Sequence, residues 1–178
     1  IDSILNQTFQ DFEYIILNNG STDRTPEILA QYTDHRIRII HQENLGISGS
    51  LNKGINISNS DLIARLDADD YSFPQRLEQQ ISFMEQNPEI VFCGSRFKEL
   101  VGDKYFPQRV KFIEKDDDIR KIVSCFNPFA HSTIMIQKNA FTKSGGYDLK
   151  FKYGQDYELW VRMLSLGEAH ILDNELCV

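Results

Sequence analysis

The sequence predicts an α/β fold, and two observations carry that expectation. Short apolar runs of strand length alternate with longer segments whose apolar residues recur every three or four positions, the pattern of strands interleaved with amphipathic helices. Turn-forming and acidic residues also collect just behind the strand runs, as in "NNGST" and "DADD", where open α/β sheets bind their ligands. The strand-like runs are Tyr14 to Leu17, Ile37 to His41, Leu62 to Leu66, Ile90 to Cys93, Thr133 to Ile136 and Ala169 to Leu172. This alternation implies a mainly parallel central sheet flanked by helices.

The helical segments follow from their end signals. "STDRTPEILAQY" offers Thr25 as N-cap, Pro26 in the first turn and Glu27 where an acid suits the helix dipole. "FPQRLEQQISFMEQNP" places Leu77, Ile81 and Met84 on one face and stops before Pro88. "QDYELWVRMLSLG" has Gly167 as its C-terminal stop, and its apolar character makes Trp160 a core residue. The run Glu114 to Asp118 reads as an acidic helix start inside the least periodic region, Phe97 to Pro128. The opening "IDSILNQTFQDF" reads as an amphipathic helix passing straight into a strand, with no strand before it.

Composition narrows the function classes. The chain has 178 residues, 41% hydrophobic and 25% charged, which suits one soluble globular domain with a sizeable core. A net charge of -7 and the lack of a Lys/Arg block argue against general nucleic-acid binding. Cys93, Cys125 and Cys177 are widely spaced among apolar or small residues and are expected to be buried free thiols in a reducing cytoplasm. No apolar run approaches the roughly 20 residues that span a bilayer, so any peripheral membrane association is expected from outside these residues.

The chemistry concentrates in "LIARLDADDY". Three carboxylates within four positions repel one another unless they share a proton or a cation. Asp67 and Asp69 are two apart, so on an extended backbone they point the same way. Such oxygen ligands suit Mg²⁺ or Mn²⁺ completed by water and phosphate oxygens, and hence a nucleotide diphosphate. A calcium loop fits less well, because Ser72 replaces the turn glycine and Pro74 interrupts the loop. Two other readings remain open: an aspartyl-nucleophile phosphatase attacking through Asp67, and a solvated acidic turn ahead of the next helix.

The ordered set "SILNQTFQDFEYIILNNGSTD", "NLGISGSLNKGI", "ARLDADDYSFPQRL", "HSTIMI", "GGYD" and "GQDYELWVRML" resembles the family 2 glycosyltransferases, which have a GT-A fold and transfer sugars from nucleotide donors. The resemblance runs through nearly the whole chain. It implies a GT-A-like, Rossmann-like single catalytic domain, residues 1–178, without the family's first strand and C-terminal extension. It also implies an inverting, metal-dependent enzyme that uses Mn²⁺ or Mg²⁺, a nucleotide-sugar donor, with a UDP-sugar favoured, and a glycan or lipid-linked acceptor. Such an enzyme serves polysaccharide or cell-surface glycan synthesis, in the cytoplasm or at the inner face of the membrane.

Residue by residue, the resemblance places Asn19 where the family has the acid that meets the uracil imide, with Asn18 before it; an amide oxygen keeps the acceptor and loses the charge. It makes Asp69 the metal ligand and puts Asp67 near the ribose or the metal, with Asp70 in a supporting place. Asn44, Gly46 and Lys53 stand beside the donor, and the arginine that many relatives carry near Leu51 is absent. Asp156 occupies the place of the catalytic base, with Gln155 where the family writes glutamate, and His131 falls on the acceptor side. The alternative to an enzyme is a nucleotide-sugar-binding domain without turnover.

Overall fold

The computed structural model describes residues 1–107 and 113–178. The chain begins with the single-turn helix α1 (Asp2–Leu5), and a parallel pair of strands, β1 (Tyr14–Asn19) and β2 (Ile37–Gln42), brackets helix α2 (Thr25–Leu29). Helix α3 (Gly46–Ile57) then leads to the short strand β3 (Leu62–Ala64), and helix α4 (Arg76–Gln86) leads to the long strand β4 (Ile90–Val101). A hairpin strand β5 (Lys104–Pro107), helix α5 (Asp116–Ile122), a 3₁₀ turn (His131–Thr133) and strand β6 (Met135–Gln137) follow. Helices α6 (Lys138–Ser144) and α7 (Gln155–Met163) and strand β7 (Glu168–Cys177) complete the described fold.

The α/β class stands. The pairing is mixed: β1 with β2 and β4 with β7 run parallel, whereas β3 with β6, β6 with β4 and β4 with β5 run antiparallel. The larger sheet therefore runs β3, β6, β4, β5 with β7 paired to β4. Antiparallel pairing takes a larger share than the strand and helix alternation suggests, because β6 enters the sheet from a 3₁₀ turn and not from a crossover helix. Among the described residues β1 and β3 each pair on one side only.

β4 forms the middle of the core. Its first residues, Ile90 to Ser95, are all buried, as expected for a strand covered on both faces. On one side Phe92 stacks on Trp160 with ring centroids 5.1 Å apart, and Phe129, Ile119, Leu159 and Met163 close around them. Trp160 is thus core, as its helix pattern predicts. On the other side Leu77 and Met84 of α4 pack with Cys93, Met135, Leu172 and Leu176, and Ile81 joins the edge of that cluster.

Several local expectations shift. Thr25 lies inside α2, and the capping oxygen belongs to Asp23, whose carboxylate accepts from the Thr25 backbone N–H at 2.9 Å. Gly167 does not end a helix: α7 stops at Met163, and a Cβ on Gly167 would fall 2.4 Å from Val91 Cγ1, so the glycine is there for close packing against the start of β4. Thr133 belongs to the 3₁₀ turn and not to β6, and β4 runs on to Val101 through part of the stretch that looked least periodic. The acids Asp116, Asp117 and Asp118 do open a helix, α5. The three cysteines are free, but Cys125 is exposed while Cys93 and Cys177 are buried, because Cys125 sits just past the end of α5 on an irregular segment. Among the described residues no helix is long and apolar enough to cross a membrane.

One buried side chain ties the start of the chain to the acidic loop. Gln7 donates to the carbonyls of Ser3 and Phe73, both at 2.9 Å, and to Ser72 Oγ at 3.1 Å, and its own oxygen accepts from the Leu77 backbone N–H at 3.0 Å. These bonds fix the segment that runs from "DADD" into α4. Replacing Gln7 with Ala orphans the Leu77 N–H and leaves the Phe73 carbonyl with the Arg76 N–H as its remaining donor, and the expected loss is about 1–3 kcal/mol of unfolding free energy in urea titrations, with far-ultraviolet dichroism unchanged.

Candidate active site

The acidic loop follows β3 and is held from beneath. Arg65 donates to Asp67 Oδ1 in a close ion pair and to Ser132 Oγ at 3.2 Å. Ser132 Oγ in turn donates to Asp67 Oδ2 at 3.2 Å and accepts from the Asp67 backbone N–H at 3.0 Å. Both oxygens of Asp67 are thus engaged. Asp69, one step beyond, is exposed and has no hydrogen bond or ion pair among the described residues. Asp70 lies within electrostatic reach of the fully buried Arg76.

Arg76 is what the loop rests on. Its Nη2 donates to the Arg65 carbonyl at 2.7 Å and to the Ile134 carbonyl at 3.1 Å, and its Nε donates to Gln80 Oε1 at 3.0 Å. Gln80 passes the connection on, donating to the Thr133 carbonyl at 2.7 Å. Burial pulls the Arg76 pKa down from its usual value, with the Cys177, Cys93 and Asp70 side chains working against that pull and Arg65 adding to it. The end of β3 and the 3₁₀ turn are thereby fastened to one cation.

The 3₁₀ turn carries His131 into the same neighbourhood. His131 Nε2 and the Tyr147 hydroxyl are 2.7 Å apart, and the imidazole stands edge-on to Trp160. Burial, helped by the nearby charge of Arg65, drives the His131 pKa down to about 3. Burial also pushes the Tyr147 phenol well above its usual value, against Arg65 and reinforced by the carboxylates of Asp156 and Asp67. Tyr147 therefore lies within electrostatic reach of both Asp67 and Asp156. Asp156 sits in the first turn of α7, where Gly154 in a left-handed conformation turns the chain into the helix, and its Oδ2 accepts from Asn127 Nδ2 at 2.9 Å. Asn127 is fixed in turn by accepting from the Phe129 N–H at 3.1 Å.

A second group of residues gathers at the ends of β1 and β2. Asn19 Oδ1 accepts from Gln42 Nε2 at 3.0 Å and from the Leu45 N–H at 2.9 Å, and its Nδ2 donates to Asn44 Oδ1 at 3.1 Å. Asn44 Oδ1 also accepts from the Gly46 N–H. Asn18 is buried, its Nδ2 3.0 Å from His41 Nδ1, and its oxygen accepts from the Ser21 N–H at 3.1 Å. Gly20, at φ +79°, packs so tightly on Asn44 N that any side chain would crowd it. Asn18, Asn19, Asn44 and Gly46 are thus one hydrogen-bonded turn. Both lone pairs of the Asn19 oxygen are already used, so this side chain shapes the turn first and meets a ligand only by exchanging a partner. Lys53 lies on α3 with no hydrogen bond or ion pair among the described residues.

The residues that sequence reasoning missed are the ones that support others. Arg76 and Gln80 share the buried face of α4 with Met84, and their i, i+4, i+8 spacing was a signal that this face carries a polar pair. Ser132, Tyr147 and Asn127 gave no comparable signal, because the partners that bring them to the site are 16 to 67 positions away in the chain, and Arg65 shows its reach to Ser132 only in the fold.

The model of the family described as "Glycosyl transferase family 2" matches residues 1–146. The chain belongs to that family. It is 40% identical over 169 residues to the O-antigen biosynthesis glycosyltransferase WbnJ of Escherichia coli, covering 93% of this chain and 65% of that protein. It is 30% identical over 171 residues to the amylovoran biosynthesis glycosyltransferase AmsE of Erwinia amylovora, covering 94% of this chain and 63% of that protein. The chain thus spans a little under two thirds of these relatives' own length. Among solved structures, TarS 1-349 of S. aureus in complex with UDP superposes with a TM-score of 0.80 at 16% identity, over 99% of this chain and 54% of that one. A mannosyltransferase of Pyrobaculum calidifontis, solved with GDP-Man and Mn²⁺, superposes with a TM-score of 0.72 at 13% identity, over 98% of this chain and 49% of that one. These likenesses establish the GT-A fold of this family 2 chain.

Divalent-metal binding is compatible with the acidic loop. Among the described residues no three His, Cys, Asp or Glu side chains converge on one point, so these residues form no closed metal cage. One free carboxylate, Asp69, beside a second that is held by Arg65 and Ser132, is the donor set expected where a hard cation takes most of its ligands from water and phosphate.

The half-buried His131 makes stability depend on pH. Its folded pKa of about 3 lies below the ordinary 6.5, so between those values the unfolded chain binds a proton that the native site refuses. Stability is full above pH 6.5 and falls as the pH drops through that window, by up to about 1.4 kcal/mol per pH unit for one such group. His170, whose pKa burial also lowers, adds in the same direction. Urea midpoints measured from pH 7.5 to 4 are expected to decline less steeply in His131→Gln than in the native chain.

Proposed function

We propose that this chain is the catalytic domain of an inverting glycosyltransferase that moves a sugar from a nucleotide donor, preferentially a UDP-sugar, to a hydroxyl of a glycan or lipid-linked acceptor. The observation that carries the reading is a pinned acid, Asp67, beside a free acid, Asp69, just past the end of β3, with a third acid, Asp156, that shares with Asp67 electrostatic reach of Tyr147. The relatives named for O-antigen and amylovoran biosynthesis support a role in surface polysaccharide synthesis, and TarS was solved with UDP. Such chemistry belongs to the cytoplasm or the inner face of a membrane.

In this reading the turn of Asn18, Asn19, Asn44 and Gly46 shapes the base and ribose side of the donor site. Lys53 and Asp67 serve the diphosphate and ribose, and Asp69, with Asp67 beside it, holds Mn²⁺ or Mg²⁺. When bound, the cation supplies Lewis-acid stabilisation of the departing nucleotide diphosphate. Asp156 acts as general base: Asn127 occupies its Oδ2, and Oδ1 remains to take the proton of the acceptor hydroxyl as that oxygen attacks the anomeric carbon. Attack from the face opposite the nucleotide inverts the anomeric configuration. His131, neutral and bonded to Tyr147, braces the acceptor side without adding charge. As a phosphatase nucleophile Asp67 would have to attack through an oxygen already paired with Arg65 or Ser132.

Calorimetric titration with UDP, GDP and dTDP, with and without Mn²⁺, tests the donor side. UDP is expected to bind only with metal, and Asp69→Asn to weaken that binding tenfold or more; metal-independent binding, or full binding by Asp69→Asn, refutes the assignment. Asp156→Asn is expected to bind UDP within twofold of the native chain and to slow transfer about 100-fold or more. Acid-labile phosphorylation of Asp67 would favour the phosphatase instead.

A further inference from the structure

The segment that feeds the chain into α7 is built unlike an ordinary surface loop. In "DLKFKYG", Leu149, Phe151 and Tyr153 are 68%, 43% and 90% exposed, with the exposed Lys150 and Lys152 between them. Leu45 and Ile47, at the start of α3, are 49% and 59% exposed. Leu45 and Leu149 flank Gly49 together: a Cβ on that glycine would meet Leu45 Cβ at 3.1 Å and Leu149 Cδ2 at 4.0 Å. The two pieces are also clamped. Asn52 of α3 donates to the Tyr147 carbonyl and accepts from the Tyr147 N–H, both at 2.8 Å. Exposed apolar side chains scattered singly are ordinary, but two exposed apolar segments that meet at Gly49 through Leu45 and Leu149 and are clamped by Asn52 mark a contact surface.

Charge indicates the kind of partner. The acid of the segment, Asp148, is half-buried and turned inward, accepting from the Lys150 N–H at 2.9 Å and lying in electrostatic reach of Arg162. The segment therefore presents lysines outward, in a chain whose net charge is -7. Large aromatic and aliphatic side chains interleaved with lysines are what an anionic lipid surface takes up, with the rings at headgroup depth and the ammonium groups against phosphate.

We propose that the rim formed by Leu45, Ile47, Leu149, Phe151 and Tyr153, with Lys150 and Lys152, docks this protein on an anionic lipid bilayer. Docking there sets Asp156, three residues beyond Tyr153, close to the membrane plane. Its benefit to catalysis rests on the reading of Asp156 as the base, but the docking itself does not.

Co-sedimentation of the 178-residue chain with vesicles of phosphatidylethanolamine and phosphatidylglycerol, and with neutral phosphatidylcholine vesicles, tests it. Binding is expected to the anionic vesicles, weakened by salt. Phe151→Ser with Tyr153→Ser is expected to reduce it tenfold or more, and Lys150→Gln with Lys152→Gln to abolish the preference for anionic lipid. Both double variants should keep the native melting temperature and the native UDP affinity. The proposal is overturned by failure of the native chain to bind, by equal binding to neutral vesicles, or by unchanged binding of the Phe151/Tyr153 variant. It is also overturned if sedimentation velocity shows a self-association that the variant loses, since the rim would then cover a second copy. Failure of nucleotide binding alone would undo the catalytic reading and leave the vesicle result standing.

Discussion

A single buried cation organises this molecule. Arg76 is wholly removed from solvent, a placement that costs several kcal/mol unless its hydrogen-bonding capacity is spent well. Nη2 and Nε are spent on two backbone carbonyls and a glutamine, Nη1 being buried without a hydrogen-bond partner among the described residues, and the carbonyls belong to the residues that follow β3 and precede β6. Through them the acidic loop and the 3₁₀ turn share one anchor. Its positive charge reaches Asp70, while Arg65 pairs with Asp67.

That anchor explains how three neighbouring carboxylates take up different conditions. Asp67 is pinned by Arg65 and Ser132, Asp70 feels Arg76, and Asp69 is the most exposed of the three and has no partner among the described residues. The loop does not wait with three equal charges for a cation; it presents one free ligand on a fixed frame. The opposite wall is made in the same way. Asn127 fixes Asp156, Tyr147 fixes His131, and Trp160 supports the imidazole from the core. Both walls are therefore held by side chains that need no ligand to be in place.

The rim of Leu149, Phe151 and Tyr153 contrasts with this rigidity in purpose, since its apolar area faces outward. Yet it is held to α3 by the same device, an asparagine that satisfies both polar groups of one backbone unit. Short polar side chains that clamp backbone recur through the structure: Gln7 beneath the acidic loop, Asn19 at the end of β1, Asn52 below the rim. They place irregular segments accurately without lengthening any helix or strand.

How much of this was legible in the sequence depends on the range of each interaction. The strand and helix alternation, the α4 face of Leu77, Ile81 and Met84, the acidic start of α5 and the burial of Trp160 were readable because they follow from periodicity within one segment. The order of the motifs, from "NNGS" through "DADD" to "QDYELW", carried the family. The antiparallel entry of β6, the exposure of Cys125, the packing role of Gly167 and the displacement of the α2 cap to Asp23 were not readable, since each is set by where neighbouring elements lie. The same holds for the site. Sequence alone determined which acids stand after β3 and at the head of α7; tertiary structure alone decided that Arg65 and Ser132 claim Asp67, that Arg76 holds the loop from below and that Asn127 reaches Asp156. Local pattern encodes the elements, whereas hydrogen bonds between residues dozens of positions apart exist only once the chain has closed on itself.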